Sequence, residues 1–112
     1  MTATKENTSA LWAYTVNDRR IEHRIHTMTD TVYVFDENGG VLFTIDRSAD
    51  VYRNGTLIGR FRMSESPAIW NYKGLDGRVM KPQSLTLILA EVEVMKVLVA
   101  ELFKGEKDGT QG

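Results

Sequence analysis

Glu91 is the residue whose position most needs a chemical explanation. Winding residues 83–104 as a helix puts it near the middle of an apolar arc, between Leu87, Met95 and Leu98. An unpaired charge in such a place is too costly to keep, so this carboxyl must be paired, protonated or at an opening. Two readings stay open. One is a structural ion pair with an arginine from the preceding segments; the other is a carboxylate facing the mouth of a cavity. In the second, Glu91 could act as a general acid or base beside an arginine that holds an anionic substrate.

The arginines are the other chemically suggestive set: Arg19, Arg20, Arg24, Arg47, Arg53, Arg60, Arg62 and Arg78 dominate the basic residues ahead of that helix. Guanidinium forks suit phosphate, carboxylate and protein interfaces better than lysine does. Arg24, Arg60 and Arg78 fall at one position of an internal repeat described below, which in a closed ring would set them at similar heights around its axis. Aromatic residues accompany them, with Tyr52 and Trp70 near the first strands of their units alongside Trp12, Tyr14, Tyr33 and Tyr72. Exposed Trp and Tyr beside Arg is the composition of a binding hot spot. The competing reading is that Asp18, Asp46, Asp50 and Asp76 neutralise the arginines on a solvated face.

Other chemistry is thinly represented. His23 and His26 are three apart on an extended segment, hence on opposite faces, and are expected at solvent or rim positions with no shared metal. There is no nucleophile elbow, P-loop, dinucleotide fingerprint or zinc-protease motif. The run Asp36-Glu37-Asn38-Gly39 lacks the ligand series of a calcium loop and reads as a turn. With no cysteine, disulfides and thiolate sites are excluded. No cofactor or metal is expected.

The elements that must position these residues begin with the helix over 83–104, with Pro82 and Ser84 at its start and Gly105 at its stop. Glu93, Lys96, Glu101 and Lys104 share one narrow side, and the wide apolar remainder calls for partners on most of the circumference. Its charges argue against a membrane span. Ahead of it, residues 35–45, 51–61 and 69–79 align without gaps, with a weaker first copy at 12–25. Asn38-Gly39 and Asn54-Gly55 signal two-residue type I′ turns, with Asp18-Arg19 and Lys73-Gly74 at the corresponding places in the other copies. Alternation such as Val32-x-Val34 and Val41-x-Phe43-x-Ile45 makes each unit a β-hairpin. Four hairpins need a shared core, and closing them into a barrel removes exposed edges.

The expected fold is therefore mainly β with one helix: four β-hairpin repeats closed into a small barrel, with the C-terminal apolar helix packed in or across it. Residues 10–105 form the single domain, and 1–9 and 106–112 are expected to be flexible tails. Over about 12–104 this order of elements resembles the four-fold β-flower family of shallow hairpin-repeat barrels and, more distantly, the Tubby-like barrel. The second resemblance implies phosphoinositide head-group binding through basic residues, whose nearest counterparts here are Arg24, Arg60 and Arg78; Thr44 stands at that position in the second unit.

A net charge of −1 gives no field to gather nucleic acid. The N-terminal residues contain no apolar run of a signal peptide, so a cytoplasmic location is expected. The functional expectation is a small non-enzymatic binding or adaptor module. It would use Arg24, Arg60, Arg78, Glu91, Trp70 and Tyr52 toward a protein partner or a small anionic ligand, and could assemble as a homo-oligomer. The alternatives are a peripheral, anionic-lipid-binding protein of Tubby-like type, an enzyme using Glu91, and a phage or mobile-element inhibitor of a host protein.

Overall fold

The computed structural model describes the backbone of residues 5–111 and the side chains of 5 and 7–105. A short 3-10 turn, Lys5–Asn7, leads into eight strands: β1 (Thr8–Val16), β2 (Arg19–His26), β3 (Val32–Phe35), β4 (Val41–Ile45), β5 (Asp50–Arg53), β6 (Thr56–Met63), β7 (Trp70–Gly74) and β8 (Val79–Ser84). One helix, α1 (Leu87–Gln111), follows. All strands belong to a single antiparallel meander in sequence order, with β1 and β8 at its two ends.

The expected closure of the barrel does not occur, because β1 and β8 do not pair. Eight flat strands at ~4.8 Å spacing would hold their outer members about 34 Å apart, far more than the ~10 Å diameter of a helix. Yet α1 packs against β8, β1 and β7, so the sheet must curl until both ends reach one helix. Strand closure is replaced by a helix laid along an open seam. The strands run from four to nine residues and their turns differ in length, so no regular fourfold unit emerges.

Alternation decides what faces the helix. Ile21, Val32, Val34, Phe43, Ile45, Val51, Phe61 and Tyr72 are buried from the sheet, and Ala90, Val94, Met95, Val99 and Phe103 from the helix. These residues form one core cluster. The Tyr72 ring lies against the bare Cα of Gly59, where any Cβ would overlap its hydroxyl.

Turn chemistry follows two patterns. Asn17-Asp18 and Asn54-Gly55 both have positive φ, as a two-residue type I′ hairpin requires; the first turn thus precedes the Asp18-Arg19 position, and Arg19 opens β2. Three further turns, 36–40, 46–50 and 74–78, share a five-residue loop pattern. In 36–40, the Asp36 N–H donates to the Gly40 carbonyl, Gly39 N–H donates to the Asp36 carbonyl, and the Asp36 carboxylate accepts from Asn38 and Gly40 N–H at 2.9 and 2.8 Å. Loop 46–50 repeats every one of these bonds with Asp46, Ser48, Ala49 and Asp50. Loop 74–78 keeps the backbone pair, while Asp76 accepts from Arg78 N–H at 3.0 Å. The left-handed residue is Gly39, Ala49 or Gly77, so Asn38-Gly39 is not a type I′ turn and Lys73-Gly74 is not the turn itself. Ala49 is buried in the core, which accounts for a methyl at a position where glycine is conformationally easier.

Both helix ends differ from expectation. Pro82 lies in β8, an edge strand where its missing N–H breaks no ladder, and Ser84 accepts the Thr86 N–H at 3.2 Å. Thr86 supplies the carbonyl for the first helical bond, from Ala90 N–H at 3.1 Å, so it caps the helix. Gly105 has no left-handed φ, and α1 continues to Gln111. At the other end the ordered chain starts earlier than residue 10, since β1 opens at Thr8. The part of the flexible-tail expectation that covers 1–4 and 112 lies outside the described residues.

Replacing Asp36 with Ala removes an acceptor shared by two backbone N–H groups and is expected to cost about 1–2 kcal/mol in urea denaturation, with Asp36→Asn recovering most of it. Equal stability of the Ala and Asn variants would contradict this account of the loop.

Candidate functional site

The arginines are tied into the scaffold one by one. Arg24 donates to the Thr8 hydroxyl at 2.7 Å, to the Thr8 carbonyl at 3.0 Å and to Glu22 at 3.2 Å, fastening the start of β1 to β2. Lys5 reaches Glu22 from the other side at 3.0 Å. Arg60 and Arg62 both pair with Asp50, at 3.4 and 3.1 Å. Arg78, at the end of the β7–β8 loop, pairs with Glu101 of α1 at 2.8 Å. Arg19 pairs with Glu37 at 2.8 Å and stacks 3.8 Å from the Phe103 ring centroid.

Arg24, Arg60 and Arg78 thus serve different acids on different elements, and no shared partner joins them. The common height expected of them assumed a closed ring, which the open sheet does not supply. The expected aromatic companions are similarly engaged. Tyr52 donates to Asp46 at 3.3 Å, and Trp70 is half-buried against the core.

Glu91 is 3 % exposed and points with Met95 and Val94 to the covered side of α1. Among the described residues it has no ion pair, so the expected arginine partner is missing; every arginine that reaches an acid here reaches another one. Burial instead pushes its carboxyl up to about 8, which leaves it protonated and neutral at pH 7. Of the three possibilities open to it, the protein uses protonation.

His23 departs from the expected solvent or rim position, since it is fully buried beside Ile21 on the inner face of β2. Its Nε2 shares a 2.7 Å hydrogen bond with the Tyr14 hydroxyl, while Nδ1 is buried without a partner. Burial lowers its pKa to about 4, so it too is neutral at pH 7, and burial raises the Tyr14 phenol above its ordinary value. His26 is half-buried, as expected for the opposite face. No cluster of three or more metal-ligating side chains occurs among the described residues.

What the sequence reading missed is the uncovered part of the helix. A wide apolar arc predicts cover on most sides, but Ile88, Leu89 and Val97 remain 40 %, 43 % and 40 % exposed, and Leu85 just before the helix is 73 % exposed. The sheet curls around one side of α1 only. On its β1 side a groove of about 500 Å³ runs between Trp12, the end of β8 with the link to the helix (82–86) and the helix residues Leu89, Val92, Glu93 and Lys96. On its β8 side a smaller groove of about 260 Å³ is lined by Arg78, Met80, Lys81, Pro82, Glu93, Val94 and Val97. Glu93 stands on the crest between them, and Glu91 lines neither. The sequence signal was Trp12 at a strand position facing the seam, together with Leu85 and Leu89 at the helix entry.

Comparison with protein-family models, curated proteins and solved structures finds no match. Among the described residues no helix is long and apolar enough to cross a membrane.

The two buried groups give a pH profile with a definite sign. Glu91 has a folded pKa above its unfolded one, so its contribution to stability is full below pH 4.5 and is lost as pH rises toward 8. His23 has a folded pKa below its unfolded one, so its contribution is present above pH 6.5 and is lost as pH falls toward 4. The two oppose each other between 4.5 and 6.5, and only Glu91 acts between 6.5 and 8. Urea unfolding should therefore show stability falling by roughly 2 kcal/mol across that upper window at 1.36 kcal/mol per pH unit, and Glu91→Gln should flatten it. A wild-type limb already flat from pH 6.5 to 8 would contradict a neutral, unpaired Glu91.

Proposed function

We propose that this protein is a non-enzymatic binding module and that its binding surface is the groove along the β1 side of the seam. The single observation that carries the reading is the contrast between satisfied and unsatisfied surface. Arg24, Arg60 and Arg78 already hold partners within the chain, whereas Trp12, Leu85 and Leu89 are large apolar side chains left 45 %, 73 % and 43 % exposed around one concavity.

Grouped exposure of this kind around a concave site marks binding surfaces, while singly scattered apolar residues need no such account. The rigid parts of the groove come from opposite ends of the chain. Trp12 is fixed on β1, and Leu89 and Val92 on a helix whose other side is locked into the core. A surface held this way is preorganised, so little ordering accompanies binding. The arginine and aromatic rim expected from the sequence remains the competing surface, and the two make opposite forecasts.

An uncharged solvatochromic dye such as Nile red should bind one per chain in this groove. Trp12→Ala and Leu89→Ser should each weaken it about tenfold at unchanged circular dichroism, and Arg60→Glu/Arg78→Glu should leave it unchanged. Dye binding that survives both groove variants and disappears in the arginine double variant would overturn the proposal.

A further inference from the structure

Resting on that reading, we infer that the ligand of the seam groove is an amphipathic monocarboxylate: an apolar chain lying against Trp12, Leu85, Leu89 and Val92, with its one anionic head on the Lys96 ammonium. The apolar part follows from the lining. Trp12 offers an aromatic face from β1, and Leu85, Leu89 and Val92 offer aliphatic surface from the helix entry. The volume of about 500 Å³ falls within the ~300–1,000 Å³ range of small-molecule sites.

The head-group part follows from charge. Lys96 lines the groove, and its Nζ stands 5.4 Å from the Tyr14 ring centroid. That contact directs the ammonium toward β1, and a ring face leaves its three donors free to bind an anion. Among the described residues Lys96 forms no ion pair, although Glu93 is only three residues away on the same helix. The Tyr14 hydroxyl is occupied by His23 and does not compete.

The same features set the size of the head. One ammonium matches one negative charge, and Glu93 on the crest opposes a second. Bidentate phosphate recognition draws on arginine forks, and among the described residues no arginine lines this groove; Arg78, which lines the smaller one, binds Glu101. A carboxylate on an apolar chain is therefore favoured over a phosphorylated ligand and over a cationic one.

The test uses the full chain carrying Trp70→Phe, in which Trp12 is the sole tryptophan, and follows its emission at pH 7.5 while decanoate, decanol or decyltrimethylammonium is added below micelle-forming concentrations. Decanoate should bind roughly tenfold more tightly than decanol, and the cation most weakly. Lys96→Gln should bring decanoate down to the affinity of decanol without altering decanol itself; Lys96→Arg should keep most of the preference, and Glu93→Gln should increase it a few-fold. Both positions are exposed, so folding should survive these changes. Equal binding of decanoate and decanol, unmoved by Lys96→Gln, would overturn the head-group assignment and leave the groove reading standing. Failure of all three compounds to bind would remove both.

Discussion

An antiparallel sheet that curls but does not close leaves two strand edges and a concave apolar face to be dealt with. Here a single helix deals with both. Because α1 reaches β1 and β8 together, it covers the seam between the first and last strands and at the same time delivers Ala90, Val94, Met95, Val99 and Phe103 to the core. The edge strands carry their own safeguards. β8 contains Lys81 and Pro82, which discourage pairing with another chain, and β1 is bulged between Ala10 and Trp12. The arrangement also has a geometric consequence: a helix lying in a seam is enclosed on one side only. The groove proposed as the binding surface is the other side of the contact that holds the fold together.

The polar side chains fit the same logic. Acidic residues at loop starts collect backbone N–H groups, as Asp36 and Asp46 do, and acidic residues on strands and helix collect guanidinium groups. Among the described residues several cations remain without an acid partner, and Lys96 is the one that lines the groove. The buried ionisable groups, Glu91 and His23, are both held neutral by burial and need no counter-ion. Neutrality is a workable solution for a small core that would otherwise have to bury pairs of charges, whose desolvation often exceeds their attraction.

Much of this was legible in the sequence, and the parts that were not share a cause. Alternation along 32–34 and 41–45 identified the inward residues because side-chain period is a local property. Asn54-Gly55 identified its turn because two positive φ angles are a local demand. The helical winding put Glu91 on the covered face for the same reason. Closure of the barrel, by contrast, depends on the curl summed over eight strands and on what fills the gap, and no local pattern encodes it. The arginine partners depend on strand register: Asp50 meets Arg60 and Arg62 across one ladder, and Glu101 meets Arg78 across the gap between helix and loop. The helix start was misplaced because Pro82 suits an edge strand as well as a first helical turn, and only the neighbours of β8 decide between them. The exposed side of α1 was missed because a wide apolar arc shows how much surface could be covered, not how far a sheet of this length wraps.

The central claim is that helix and sheet form one cooperative unit, with the helix as the seal of an open barrel. Native-state hydrogen exchange at increasing urea tests it most directly, by comparing amides of residues 94–99 in α1 with those of β3, β4 and β5. The account predicts that both sets exchange through the same global opening, with equal free energies and equal urea dependence. Helix amides that exchange through a separate opening of much lower free energy, while the sheet stays protected, would mean that the sheet holds itself together and the seal is dispensable.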